Sequence, residues 1–248
     1  MLTLLAGTGL FVGLLIGCIG IGGVLLVPVL TTIGQIDIHR AIAACMLSYL
    51  FSGALGALLY ARRGSINWPA GITIGLGAMP GAYLGALSAT ALPVAVLTFI
   101  VAILVVLTGL HALQQPRIPL AESNASIPLL TVIGLITGFG SAITGTGGPV
   151  LLIPLLLWLN YPILMAVGLG QLIQIPIAIL ASIGNLMYGR LEIALGIAIG
   201  VTLLIGVTLG VWLAHQLPTA LLKRMVAIVL IATGAMMAWQ IAPQMISW

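Results

Sequence analysis

Two glycine clusters carry most of the chemistry open to this chain. Gly20-Ile21-Gly22-Gly23 interrupts one long apolar stretch and Gly145-Thr146-Gly147-Gly148 interrupts another. Glycine loosens a helix and permits positive φ. Pro149 stands where a first helical turn would begin, a place where a missing N–H costs nothing. Each cluster therefore reads as a turn between two short helices. A helix beginning near Gly22 or Gly147 leaves its first N–H groups without backbone acceptors, and the helix dipole adds partial positive charge there. Two such ends facing each other would hold an anion without any Lys or Arg. No Lys or Arg lies mid-way along any apolar stretch of this chain, so a mid-membrane anion site would have to be built from N–H dipoles, hydroxyls and amides.

The polar residues near the clusters fit that demand. Ser141, Thr144 and Thr146 line the second, and Cys18 lies in the first. Cys45, Ser48 and Tyr49 fall in the next apolar stretch, and their counterparts later in the chain include Gln171 and Gln174, with Asn185 further along. Residues three apart on a helix face the same way, as Gln171 and Gln174 would. Burying two amides costs roughly several kcal/mol unless they meet partners, which favours a ligand-binding role for the pair. Thr144 has a plainer reading as a hydroxyl bonded to the carbonyl four residues back, and Cys45 as a small buried hydrophobe. The substrate-contact set is Gly20, Gly22, Gly23, Cys45, Thr144, Gly145, Thr146, Gly147, Gly148, Gln171 and Gln174.

Other chemistry is poorly served. Asp37 is the only aspartate, no Asp or Glu falls mid-stretch, and the three histidines sit near stretch ends. That leaves no constellation for an enzyme and no carboxylate proton relay. Two cysteines, with no CxxC or His cluster, call for no metal, cofactor or disulfide framework. Asp37, His39 and Arg40 in one loop, and Arg190 and Glu192 in another, read as local ion pairs of modest value. Without a basic cluster, nucleic acid is not a partner.

The elements that must position these residues follow from a repeat. The clusters lie 145 − 20 = 125 residues apart, and the shift holds widely: Gly9 and Leu10 match Gly134 and Leu135, Gly64 matches Gly189, and Leu92-Pro93 matches Leu217-Pro218. Gly71, Gly75, Gly81 and Gly85, with their copies Gly196, Gly200, Gly206 and Gly210, read as a stripe for close helix packing. Hydrophobic residues make up 62% of the chain and charged residues 4%, whereas a soluble domain needs about a quarter charged. The apolar runs last roughly 20 residues without alternation, which is helix length for a bilayer and not the pattern of a barrel. Met1–Ile16 lacks the basic start and cleavage site of a signal peptide, and it shares in the repeat.

Each half resolves into four apolar pieces: 2–34, 39–61, 66–89 and 93–112, then 127–160, 164–188, 191–214 and 219–242. The domain reading is a first repeat over 1–113, a linker over 114–126 and a second repeat over 127–248. If each first piece crossed the membrane once, Arg62, Arg63, Arg117 and Arg190 would oppose Arg40, Lys223 and Arg224, a split of 4 to 3. If it is a hairpin returning to its own side, Arg62, Arg63, Arg117, Lys223 and Arg224 oppose Arg40 and Arg190. That 5 to 2 split is what the positive-inside rule prefers. Three full crossings per half then make the halves insert upside down to each other. The expectation is an all-α polytopic membrane protein of two inverted repeats, each a Gly-broken hairpin plus three full transmembrane helices. Tyr60, Tyr188, Trp68 and Trp158 read as interface anchors.

The Gly-x-Gly-Gly-x4-Pro arrangement at Gly20–Pro28, repeated at Gly145–Pro154 with one extra residue, resembles the sulfite exporter TauE/SafE family. So do Ala41-Ile42-Ala43-Ala44-Cys45 and Arg63-Gly64-Ser65-Ile66-Asn67-Trp68. The resemblance spans essentially the whole chain. It implies a bacterial inner-membrane secondary transporter that exports sulfite or an organosulfonate such as sulfoacetate by alternating access. It also implies that Gly20, Gly22, Gly23, Gly145, Gly147 and Gly148 face the substrate. The family often carries hydroxyl residues around the first break, where this chain has Cys18 and Ile21. Its partners on this reading are the small anion, the bilayer and, as the protein partner it admits, a second copy. A permease for another small anion or an uncharged solute, and an anion channel, stay open as alternatives. Gly147→Leu is expected to abolish anion binding and leave the fold intact.

Overall fold

The structure is a computed structural model that describes residues 2–88, 99, 102–103, 105–110, 113, 125–187 and 192–246. Its elements are all helical. α1 (Leu2–Ile19) ends at the first glycine cluster, and one 3-10 turn (Gly23–Leu25) leads into α2 (Leu26–Thr32). α3 (Ile38–Arg62) and α4 (Trp68–Ser88) follow in the first half, and residues 105–110 are helical as well. The second half repeats the order with α5 (Ile127–Thr144), α6 (Pro149–Trp158), α7 (Ile163–Met187), α8 (Ile193–Gln216) and α9 (Thr219–Ile246). α3, α4, α5, α7, α8 and the Thr219–Trp239 part of α9 are long and apolar enough to cross a membrane. Large apolar side chains such as Ile72, Leu76, Ile205 and Trp212 are exposed around them, a surface that lipid accepts and water does not. The chain is an all-α polytopic membrane protein.

Both glycine clusters reverse the chain. Had α1 simply continued, Gly22 would lie about 15 Å beyond Val12. Instead a side chain on Gly22 would meet the Val12 carbonyl oxygen at 2.7 Å and Leu15 at 2.9 Å. Likewise a side chain on Gly140 would meet Leu151 at 2.6 Å. The arms are unequal, which corrects the expectation of two short helices: α1 and α5 have 18 residues each, α2 has 7 and α6 has 10. Pro28 lies in the first turn of α2, where few N–H groups are needed, whereas Pro154 lies inside α6 and forgoes the bond to the Val150 carbonyl.

The glycine stripe packs helices of one half against the other. A Cβ on Gly81 would fall on the Leu135 carbonyl, and one on Gly206 on the Leu10 carbonyl. Gly85 stands likewise against the Phe139 carbonyl and Gly210 against that of Leu14. So α4 lies on α5 and α8 lies on α1, and the partners obey the 125-residue shift as well as the positions. The same holds outside the stripe's centre: Gly71 meets Leu172 as Gly196 meets Leu47, and Gly75 meets Pro176 as Gly200 meets Phe51. Absent side chains let backbones approach, which is how helices associate where the solvent is itself apolar.

Two sequence readings fail here. Asp37 and Arg40 do not pair. Asp37 caps α3 by accepting from the backbone N–H groups of His39 (3.0 Å) and Arg40 (3.3 Å), while Arg40 reaches Glu192 of the other half at 3.1 Å. Capping wins because the N–H groups at a helix start have no backbone acceptor and Asp37 is the nearest oxygen. Tyr60 is no interface anchor either. It is fully buried, and its hydroxyl donates to the Gly17 carbonyl at 3.0 Å. That carbonyl lies in the last turn of α1 and has lost its helical partner to the break. Trp68 and Trp158 are about half exposed, as anchors should be. The linker as far as 124, most of the 93–112 piece, Leu92-Pro93, Arg117, Gly189, Arg190 and Tyr188 lie outside the described residues.

Candidate functional site

The two clusters are set by reciprocal packing. Gly20 and Gly145 both take left-handed conformations, at φ +74° and +72°. Gly20 faces Ile153 and Val167, and Gly145 faces Val27 and Ile42. With the one-residue insertion ahead of Pro154, these are equivalent partners under the repeat. Gly20 and Gly145 therefore turn the chain and sit against aliphatic side chains.

One step further on, the clusters meet. A side chain on Gly23 would lie 3.2 Å from the Thr146 carbonyl. Tyr49, at the middle of α3, stands between them. Its hydroxyl donates to the Gly23 carbonyl at 2.5 Å, and its ring lies 2.7 Å from where a Gly147 Cβ would be. Gly20 through Val24 and Gly145 through Val150 are all buried. Among the described residues, the N–H groups of Ile21, Gly22, Gly23 and Val24 donate to no backbone carbonyl, nor do those of Thr146, Gly147, Gly148 and Val150. Unsatisfied donors at two helix starts, sealed from water and close together, form an electropositive spot without a cation.

The side chains around this spot divide by how they are used. Thr144 bonds the Gly140 carbonyl at 2.7 Å, as its plainer reading had it, and also lies 3.0 Å from the Thr146 hydroxyl. Ser141 is fully buried with no partner for its hydroxyl, which lies 3.9 Å from the place of a Gly148 side chain. Gln171 donates through Nε2 to the Ile16 carbonyl at 2.6 Å. Gln174, at the middle of α7, donates to Ser52 Oγ at 3.0 Å, and Ser52 donates to the Tyr49 carbonyl at 3.3 Å. Cys18 and Cys45 are buried free thiols. Asn185 is turned back onto the Ala181 carbonyl at 2.8 Å.

The sequence matches the family described as "Sulfite exporter TauE/SafE" over residues 5–237. The chain belongs to the TauE/SafE family. It is 26% identical over 219 residues to the "Probable membrane transporter protein YdhB" of Bacillus subtilis (strain 168), covering 85% of this chain and 89% of that protein. It is 30% identical over 195 residues to the "Probable membrane transporter protein MJ0441" of Methanocaldococcus jannaschii, covering 75% of this chain and 72% of that one. No solved structure matches the chain. TauE/SafE membership makes it a multi-pass membrane transporter and not an enzyme.

For this TauE/SafE protein, the structure brings Gly22, Gly23, Thr146, Gly147 and Gly148 together, with Gln174 linked to them through Ser52 and Tyr49. Gly20, Gly145 and Thr144 flank the centre. Tyr49 and Ser52 are the residues that sequence reasoning did not place in the site. The repeat held a signal for Tyr49: it is the counterpart of Gln174, 125 residues earlier.

Proposed function

We propose that this protein exports a small sulfur-containing anion, sulfite or an organosulfonate such as sulfoacetate, across the bacterial inner membrane by alternating access. The anion sits where the two glycine breaks meet and is held by the free N–H groups of Gly22-Gly23 and Gly147-Gly148 with the hydroxyl of Ser141. One observation carries this reading: Gly23 and Thr146 touch at the middle of α3, where no basic side chain is available and backbone donors are. An anion would answer those donors.

Rocking of one half against the other would open the site alternately. The exchange of helices between halves supports inverted repeats, with α1 on α8 and α5 on α4. The Arg40–Glu192 pair supports them too, because it joins loops that the hairpin topology puts on one side and the single-crossing topology puts on opposite sides.

A thermal-shift panel of sulfite, sulfoacetate, sulfate, acetate and taurine on the purified protein tests the substrate class, since a ligand that binds only the folded state raises apparent stability. Stabilisation by sulfite or sulfoacetate is expected. Stabilisation by acetate alone would replace the sulfur anion with a carboxylate. Saturable counterflow in liposomes is expected of a carrier, and unsaturated conductive flux would make it a channel.

A further inference from the structure

We infer that His215 binds a proton whose uptake opens the end of the bundle where α3 and α8 finish, so that access to the first glycine break depends on pH. Four helices from both halves meet at that end. Tyr60 of α3 lies with its ring 4.9 Å from the His215 ring, tilted by 52°, and its hydroxyl holds the Gly17 carbonyl of α1. Ser65, just after α3, stands with its Oγ 3.0 Å from His215 Nε2. α7 packs against the same group, since a side chain on Gly168 would meet the Ser65 carbonyl oxygen at 2.6 Å and the Tyr60 ring at 3.2 Å. His215 is thereby tied through Tyr60 to the last turn of α1, which runs straight into the first break.

The two protonation states of His215 fit this place unequally. Nδ1 lies 2.8 Å from the Val211 carbonyl, which can only accept, so Nδ1 carries the hydrogen and Nε2 of the neutral ring accepts from Ser65. Protonation adds a hydrogen at Nε2, reverses the Ser65 hydroxyl and leaves a positive charge on a part-buried ring. The end of α8 favours that charge modestly, but no carboxylate answers it. Among the described residues the acids are Asp37 and Glu192, which precede α3 and α8, and Glu192 lies about 34 Å from His215 along α8. The other ionisable groups at this end are the Tyr60 phenol, the Cys18 thiol beside Gly17, and cations: Arg62 and Arg63 where α3 closes, Lys223 and Arg224 in α9. An unpaired charge among cations is stable only where water reaches it. The proton therefore favours the opened end, and access rises as pH falls through the range in which histidine gains its charge.

Cys18 reports the opening, because it is fully buried next to Gly17. Its alkylation by N-ethylmaleimide is timed on the purified transporter carrying Cys45→Ala, which leaves one thiol in the chain. His215→Asn is the control. It keeps a donor for the Val211 carbonyl, as Asn185 does for that of Ala181, and takes up no proton. Dividing the rate with His215 by the rate with His215→Asn removes the pH dependence of the thiol itself. That ratio should rise about threefold or more between about pH 8 and about pH 6. Tyr60→Phe keeps the ring and frees the Gly17 carbonyl, and it should shrink the rise. A ratio that does not change with pH overturns the inference, as does a Cys18 that stays unreactive at both. A full rise in Tyr60→Phe overturns the link from His215 to the first break. None of these readings involves the anion, so the anion site is judged separately.

Discussion

The two glycine breaks occupy equivalent places in the repeat and are built for different work. In the first, only Gly20 has positive φ, and three carbonyls at the turn accept hydrogen bonds from side chains of other helices. Gly17 is bonded by Tyr60, Ile16 by Gln171 and Gly23 by Tyr49. Its other members, Cys18 and Ile21, are buried and apolar. In the second, Gly145, Gly147 and Gly148 all have positive φ, and Ser141, Thr144 and Thr146 bring hydroxyls. Ser141 has nothing to bond. The first break is a braced turn, while the second holds hydrogen-bonding capacity in reserve. A repeat can thus keep its backbone plan and still brace one copy with side chains while leaving a hydroxyl unspent in the other.

The largest predicted effect is at Gly147. The sequence suggests Gly147→Leu as a clean loss of binding, but φ is +81° and the Tyr49 ring lies 2.7 Å from a Cβ there. Left-handed backbone costs about 1–2 kcal/mol for an ordinary residue, and overpacking adds about 1–3. Gly147→Leu should therefore leave little folded protein, as judged by size exclusion in detergent. Gly147→Ala should fold with a lowered melting temperature. Adding Tyr49→Leu should recover part of that loss, because it removes the clash and not the backbone strain. A Gly147→Leu protein as stable as the parent would break the contrast between the two breaks.

Next comes a pair of substitutions that should separate stability from affinity. Tyr49→Phe removes the donor to the Gly23 carbonyl and should cost about 1 kcal/mol of stability, with little change in anion affinity. Ser141→Ala removes a buried hydroxyl that has no partner. It should leave stability unchanged or slightly higher and weaken anion binding about tenfold, the worth of one hydrogen bond to a charge. Melting curves with and without sulfite measure both. If Ser141→Ala lowers stability and spares affinity, the division of labour between the breaks is wrong.

The fold was legible in the sequence because it rests on rules with a fixed register. Runs of helix length, glycines four apart and a 125-residue shift locate the helices, and the shift even pairs Gly81 with Gly206 and their targets Leu135 with Leu10. The glycine breaks were legible for the same reason, and Gln171 and Gln174 because a buried amide is costly wherever it lies. What escaped was set by contacts between distant residues. Tyr49 is legible as a polar residue near the breaks, but its partner, Gly23, lies 26 residues back and only the fold places it beneath the hydroxyl. Tyr60 reads as an anchor until the stranded Gly17 carbonyl is seen. Arg40 has a nearer acid in Asp37 and finds Glu192, 152 residues away, because the helix start takes Asp37 first.

The smallest predicted effect tests the same contrast at a helix start. Asn67 and Glu192 are equivalent under the repeat and each stands just before its helix. Asn67 caps α4, with its Oδ1 accepting the Ala70 N–H at 3.1 Å. Glu192 makes no such cap on α8, and its carboxylate is drawn off to Arg40. Both members of that pair are well exposed, with side chains 61% and 45% accessible, so it should contribute little. Glu192→Asn trades it for a cap worth about 0.5–1 kcal/mol. The net change should stay within about 0.5 kcal/mol in low salt and turn in the variant's favour near 1 M salt, where screening shortens to about 3 Å and weakens the pair but not the cap. A large loss of stability that salt does not alter would mean that Arg40 and Glu192 clamp the two halves together, and the symmetry between α4 and α8 would then end at their first residues.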